Sequence, residues 1–547
     1  MRTVYTTALA LAIWTILTAA RLHDYAECSD LARLPLPGVQ AKIDFAEAVA
    51  SGSNFTGNTS EPSYNIPQTD LPASCRVSFT VSTSSNSSAG AEVWLPTAWT
   101  GRYLSVGNGG FAGAVNYPDL VWGLRKGFAV MSTDTGHLSS QSDGSWLSNP
   151  QQAIDWGHRA LHVTTTAAKE IVSAYYEQDI GHSYYAGCST GGRQGLNAAQ
   201  HYPDDFEGVL VGSAIPWQTH TSAWQTYVAL EQYPSNASSY IPPTMWAVIH
   251  EAVLVQCDAL DGITDGIIMN PARCNFQAEV LLCGMPTVNA SACLNTAQLQ
   301  NLKRMYRPWL TSTGELVNPG IAHSGEASFS FIMNQPQPQF GPIFYGYAVV
   351  NDSDWNWEEI SVATVSLADS INPGGANAYN PDMRPFQDAG GKLIHYHGYS
   401  DPLIPTYNAP AWYDKLVDLY SEIGRGGEVP AWYRLFTVPG MGHCAGGVGA
   451  WVVDGASQGV VPAREDSAHS MLWSLVEWVE GKKNQTGGAV AAAAAPESVI
   501  GTKFVNDTPA AGVAFERPVC RWPNVAEYVG GQASSPASWR CPVAGVY

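Results

Sequence analysis

The sequence predicts an α/β fold, a mostly parallel β-sheet covered by helices on both faces and interrupted once by a long insertion. Three observations predict it. From Val77 onward, short apolar and β-branched runs alternate with stretches of helical periodicity. After Ile215-Pro216 this alternation gives way to tryptophans, prolines and cysteines up to about Pro381, and from Gly391 it resumes. Strand, helix, strand in that order requires crossover connections, which lay helices over a parallel sheet.

Ala91-Glu-Val-Trp-Leu95, Arg102-Tyr-Leu-Ser-Val106 and Gly127-Phe-Ala-Val-Met131 read as strands, because their β-branched and aromatic residues suit a pleated, buried surface. Asp155 to Tyr176 has the periodicity and length of a crossover helix, and Gly208-Val-Leu-Val-Gly212 is the strand after the next helix. Beyond the insertion, Gly391-Lys-Leu-Ile-His-Tyr396 is a strand, Ala409 to Ile423 a helix, Tyr433-Arg-Leu-Phe-Thr-Val438 a strand and Ser467 to Lys482 a helix. Ala489 to Ala495, rich in alanine, reads as a surface loop. The chain therefore divides into a leader (residues 1–20), one discontinuous sheet domain (21–215 and 382–547) and a lid-like insertion (216–381).

The 547 residues are 45% hydrophobic, enough to bury a large core. Lys and Arg total 27 against 47 Asp and Glu, a formal charge of -20, so nucleic acid and anionic membrane are set aside as partners. Arg2, the apolar run from Ala8 to Leu17 and the small residues Thr18-Ala19-Ala20 form a secretory signal pattern, too short for a membrane span of about 20 residues. Export allows the ten cysteines to pair in an oxidising compartment. Sequons at Asn54, Asn58, Asn86, Asn236, Asn289, Asn351, Asn484 and Asn506 agree with a secreted, glycosylated protein.

Gly187-Cys188-Ser189-Thr190-Gly191 matches G-x-S-x-G, the sharp strand-to-helix turn that lifts a serine hydroxyl above a sheet. A bystander serine in a glycine turn is the plainer alternative, and the strand before with the helix after argue against it. A serine nucleophile needs a base, and the base needs a carboxylate to hold its tautomer. Both partners follow in chain order. Asp401 lies just past the strand that starts at Gly391, and His443 in the glycine-bracketed loop Val438-Pro-Gly-Met-Gly-His-Cys444. His395 and His397 crowd Asp401 on one element, and His137 precedes the serine, so His443 is the expected base.

Two N–H donors must face the tetrahedral oxyanion. Thr190 supplies one, and Gly109 or Gly110, in the glycine-rich stretch Ser105 to Gly113, is the candidate for the second. Cys188 precedes Ser189 and Cys444 follows His443. A serine and histidine within hydrogen-bond reach would bring those neighbours near the Cα separation of about 5.5 Å that a disulfide requires.

GCSTGG at Gly187, HGYSDPLI at His397, VPGMGHC at Val438 and NGGFAG at Asn108 resemble the tannase and feruloyl esterase family of secreted esterases over essentially the whole mature chain. The resemblance implies an α/β-hydrolase fold with an inserted lid domain, Ser189 as nucleophile, His443 as general base and then acid, Asp401 as its orienter, and a Cys188 to Cys444 disulfide. It also implies pairs Cys28 with Cys75, Cys257 with Cys274, Cys283 with Cys293, and Cys520 with Cys541. Spacing alone leaves that connectivity open.

Within the insertion, Asp258, Asp261 and Asp265 crowd a segment with no Lys or Arg before Arg273. In an extended loop two of these carboxylates and the carbonyls of Ile263 and Ile267 would share one side and join Asp258 around a hard cation. Oxygen ligands suit calcium better than zinc. The loop is not an EF-hand, a solvated acidic turn is the plainer alternative, and the resemblance implies a structural calcium in the lid. The expected protein is a secreted serine esterase without organic cofactor, monomer or homodimer. It cleaves aromatic, hydroxycinnamoyl esters, as small molecules or on plant polysaccharide. Gallate esters are the alternative within the family, and a catalytically inactive binder of phenolics or glycans is the alternative of another class. Trp355 and Trp357 are candidates for an aryl pocket or for lid core.

Overall fold

The computed structural model describes residues 27–285, 292–334, 339–483, 489–491 and 494–542. The leader at 1–20 and the sequons Asn289 and Asn484 lie outside the described residues. The asparagines of the other six sequons are exposed.

Nine strands form the central sheet: Ala41–Val49 (β1), Ser74–Ser84 (β2), Ser87–Pro96 (β3), Arg102–Val106 (β4), Ala129–Thr133 (β5), His182–Cys188 (β6), Gly208–Gly212 (β7), Lys392–Gly398 (β8) and Tyr433–Val438 (β9). They lie side by side in the order β1-β2-β3-β5-β4-β6-β7-β8-β9. The pairs from β5 to β9 are parallel; β1, β2 and β3 add an antiparallel wing. This is the α/β-hydrolase arrangement, and the wing's first strand is an element that the apolar pattern did not announce, because much of β1 is exposed.

Successive residues of the parallel strands enter different cores. Tyr103, Met131, Tyr185, Val209, Val211, Leu393 and Leu435 pack on one face; Leu104, Val130, Tyr184, Leu210, Ile394 and Phe436 pack on the other. Burial on both faces is why these strands read as continuous apolar runs rather than as alternation. Helices Ala160–Tyr176, Thr190–His201 and Asn408–Glu422 cover the first face, and Tyr117–Arg125 and Met471–Glu480 the second. The crossover expected from Asp155 opens as a π-turn, Asp155–Arg159, before becoming α-helical. Side-chain caps start the two covering helices of the second face: Asn116 accepts from Asp119 N–H, and Ser470 from Trp473 N–H. Within the expected alanine loop, Ala489–Ala491 pairs antiparallel with Lys482–Lys483.

The insertion is mainly helical, with Gln218–Glu231, Met245–Cys257, Thr296–Tyr306 and Val362–Ile371, and it buries a core of its own around Trp224, Trp246, Leu302 and Phe329. Five disulfides join Cys28 to Cys75, Cys188 to Cys444, Cys257 to Cys274, Cys283 to Cys293, and Cys520 to Cys541, the connectivity implied by the family motifs. Among the described residues no helix is long and apolar enough to cross a membrane.

Candidate active site

The parallel order places the loops after β6, β8 and β9 at the same C-terminal edge of the sheet, with β7 between the first two, where open α/β sheets build their sites. Ser189 lies between β6 and helix Thr190–His201 with φ 63° and ψ -123°. A left-handed φ costs a residue with a side chain on the order of 1–3 kcal/mol, so the surroundings must hold it there. They do so through the main chain: Ser189 N–H donates to the Gly212 carbonyl at 2.9 Å, and its own carbonyl accepts from Arg193 N–H at 3.0 Å. A Cβ on Gly187 would stand 2.6 Å from the Gly191 carbonyl oxygen, and one on Gly191 3.3 Å from Asn108 N. Glycine at these positions lets the elbow close on itself and touch the glycine-rich loop after β4.

Asp401 follows β8 and His443 follows β9. His443 Nδ1 donates to Asp401 Oδ2 at 2.8 Å, which leaves Nε2 for a hydroxyl proton. The other carboxylate oxygen, Oδ1, accepts from Leu403 N–H (2.8 Å) and Ile404 N–H (3.0 Å). Asp401 is fully buried. Burial by itself would raise its pKa, but the charge and hydrogen bond of His443, the nearby His397 and the Ile404 amide outweigh it and hold the carboxyl below its ordinary value. Cys188 and Cys444 are bonded, with Cα atoms 6.0 Å apart, so the segments carrying Ser189 and His443 are covalently clasped. Ser189 and His443 line the same cavity.

The competing histidines are placed elsewhere. His395 is buried against the Tyr433 hydroxyl at 3.0 Å. His397 is buried with Nε2 3.6 Å from Asp401 Oδ2, behind the carboxylate. His137 stacks on Trp146 and donates from Nε2 to the Phe111 carbonyl at 3.0 Å, bracing the glycine loop; burial lowers its pKa to about 4, which keeps it neutral.

Thr190, Gly109 and Gly110 all line the cavity. Gly110 has φ +53°, and a Cβ there would lie 2.5 Å from the Gln141 carbonyl oxygen, so only glycine fits. Gly109 differs from its neighbour in having its N–H already engaged, donating to the Tyr64 hydroxyl at 2.6 Å. Tyr64 is a cavity residue that sequence reasoning missed. It comes from the N-terminal segment ahead of β2, which carries no motif.

The cavity has a volume of about 1060 Å³. Ile215, Phe331, Phe340, Leu403 and Ile404 give it an apolar wall, with Gln218, Thr221 and Gln225 interspersed. Trp355 and Trp357 do not line it. Trp355 stacks on Tyr345 at 5.7 Å and Trp357 meets Tyr233 edge-on at 5.0 Å, so the aromatic contribution of the insertion to the cavity is Phe331 and Phe340.

The acidic loop is not extended as expected. Asp258–Asp261 forms a 3-10 turn, and Gly262 (φ +94°) and Gly266 (φ +79°) wrap the chain through left-handed turns. Oδ2 of Asp258 accepts from Gly266 N–H at 2.9 Å and Oδ1 of Asp261 from Ile263 N–H at 2.9 Å, while Asp258 Oδ1 and Asp261 Oδ2 are buried without a partner. Asp265 accepts from Ile267 N–H at 3.2 Å and pairs with Arg517, a cation brought from far along the chain. Among the described residues no group of three or more Asp, Glu, His or Cys side chains is placed to hold a metal ion. Two orphaned carboxylate oxygens fit a hard cation if main-chain carbonyls complete the shell.

The family model for tannase and feruloyl esterase matches residues 75–542. The chain belongs to that family. A probable feruloyl esterase B-2 of Aspergillus terreus is 32% identical over 528 residues, covering 96% of this chain and 95% of the relative. The crystal structure of feruloyl esterase B from Aspergillus oryzae is 30% identical, with a TM-score of 0.85 over 95% of this chain and 100% of that one. A tannin acyl hydrolase from Aspergillus niger, 20% identical with a TM-score of 0.71 over 95% of each chain, shares the fold. As a tannase and feruloyl esterase family member, this chain is a carboxylic ester hydrolase built on an α/β-hydrolase sheet.

Proposed function

We propose that the protein is a secreted serine esterase that hydrolyses hydroxycinnamoyl esters of plant cell-wall material through an acyl-enzyme on Ser189. The observation that carries this reading is the 2.8 Å bond from His443 to Asp401 beside a strained Ser189, in one cavity and clasped by a disulfide. In the first step His443 Nε2 takes the serine proton as Oγ adds to the ester carbonyl, and it returns that proton to the departing alcohol. Water then repeats the sequence on the acyl-enzyme. The Thr190 and Gly110 amides are the main-chain donors for the oxyanion. Asp401, negative at working pH, stabilises the imidazolium in both steps.

The apolar wall supports an aryl acyl group, and the names of the relatives support hydroxycinnamate as its class. Exposed sequons and five disulfides support passage through the secretory route, with residues 216–381 as a lid over the catalytic domain. The buried orphan oxygens of Asp258 and Asp261 support a structural calcium in that lid, with the carbonyls of Ile263 and Ile267 as proposed further ligands; Asp265, paired with Arg517, would join them only by giving up that cation. The test is steady-state hydrolysis of methyl ferulate, methyl p-coumarate and methyl gallate by wild type and Ser189→Ala. Preference for either hydroxycinnamate, lost in the variant, is the expected result. Preference for the gallate would make the protein a tannase, and activity surviving in Ser189→Ala would end the serine mechanism.

A further inference from the structure

Gly109 was expected to offer its amide to the oxyanion, yet that amide is spent on the phenol of Tyr64. The glycine loop nevertheless lies against the nucleophile elbow, with Asn108 N 3.3 Å from where a Gly191 Cβ would be. Tyr64 is 8% exposed, with its ring packed on Ala112 and Ala114, and it lines the cavity that Ser189 and Thr190 also line. A phenol has one proton to donate. Its oxygen accepts from Gly109, and among the described residues no group accepts that proton. The nearby carboxylates are engaged: Glu61 with the Ser63 and Gln141 amides, Asp119 with Ser457 and Asn116. A mostly buried donor without a protein acceptor, on the wall of the cavity that Ser189 lines, is available to a group bound there.

We propose that Tyr64 is a catalytic residue whose O–H donates to the oxyanion of each tetrahedral intermediate, in the place that Gly109 N–H would otherwise occupy. The inference rests on the serine-esterase reading above. No proton leaves the phenol. As the Ser189 oxygen adds, its proton passes to His443 Nε2 and the carbonyl π electrons move to oxygen, where the Tyr64 hydroxyl joins the Thr190 and Gly110 amides in meeting them. Collapse of the intermediate returns the electrons to the carbonyl and expels the alcohol, which takes the proton from His443. Donation by Gly109 into the phenol oxygen polarises the O–H and strengthens it as a donor. Burial, partly opposed by the Gly109 hydrogen bond, raises the phenol well above its ordinary range, so it remains a donor throughout the working pH.

Tyr64→Phe separates this role from a structural one, because it removes the phenol proton while keeping the ring that packs on Ala112 and Ala114. The measurements are kcat and KM on methyl ferulate, affinity for a trifluoromethyl ketone that forms a hemiketal with Ser189, and thermal unfolding as the folding control. Loss of one oxyanion donor lowers kcat by about 100-fold or more, with the larger effect on kcat than on KM and a parallel loss of ketone affinity. A fall of less than about tenfold, or a gain, would mean that the phenol is not an oxyanion donor and would overturn the proposal. Should Tyr64→Phe not fold, 3,5-difluorotyrosine at position 64 keeps the shape and lowers the phenol pKa. The expected result is then a new alkaline limb in the kcat profile as the donor ionises, and an unchanged profile would count against the role. Wild type inactive on every aryl ester would instead refute the esterase reading on which the proposal depends.

Discussion

The Cys188 to Cys444 bridge joins residues 256 apart, the longest loop that any of the five disulfides closes. In the chain-entropy treatment a loop of that length removes about 19 cal/mol/K from the unfolded ensemble, or about 5.5 kcal/mol at 25 °C. The two bridges nested inside it, closing separations of 17 and 10, shorten the effective loop too little to matter. With an unfolding entropy of about 2.1 cal/mol/K per residue, a 547-residue chain unfolds with about 1.1 kcal/mol/K, so losing the bridge lowers Tm by about 5 °C. The Cys188→Ala/Cys444→Ala variant tests this by calorimetry at one scan rate, together with kinetics on methyl ferulate. Because the bridge connects the neighbours of Ser189 and His443, the proposed mechanism expects kcat to fall by at least about tenfold with a smaller change in KM. A Tm within about 1 °C of wild type and a kcat within about twofold would show that packing alone holds Ser189 against His443, and the clasp argument would fail.

Asp401→Asn keeps the side-chain volume but removes the charge that orients His443, and kcat should fall by about four orders of magnitude, measured by steady-state hydrolysis. The same variant has a pH signature. The folded carboxyl lies below its ordinary value, so its stabilisation is complete above about pH 4 and fades as pH falls through the depressed value; the Tm deficit of the variant should be constant from pH 7 to pH 5 and shrink below about pH 4. Gly110→Ala forces a left-handed residue whose Cβ would stand 2.5 Å from the Gln141 oxygen, so it should cost about 1–3 kcal/mol in denaturant unfolding and lower kcat as the donor loop moves. Dialysis against EGTA should lower Tm by about 2 °C, reversibly on adding calcium at 100 times its Kd, with kcat at 25 °C little changed; calcium-free protein by metal analysis with an unmoved Tm would remove the ion from the lid.

Much of this was legible because particular residues left few options. Gly187 and Gly191 around Ser189, and the strand-end positions of Asp401 and His443, are local signals, each needing only its own segment to be read. The β-strands from Arg102 to Val438 were legible for a related reason: burial on both faces leaves an uninterrupted apolar run. The wing strand Ala41–Val49 was not, since its exposed positions dilute the pattern. Trp355 and Trp357 could be offered equally as pocket or core, because an indole is suited to both until its neighbours are known.

The sequence by itself determined the glycine-bracketed turn at Ser189, the order of the serine, carboxylate and histidine, and the even set of cysteines, since these follow from residue type and spacing along one chain. Tertiary structure alone decided which partners meet across it: that Arg517 reaches Asp265, that Phe331 and Phe340 rather than Trp355 and Trp357 line the cavity, and that Tyr64 takes the Gly109 amide. Hydrogen bonds and packing act over a few ångströms of space, and the distance between two residues along the chain does not fix that separation.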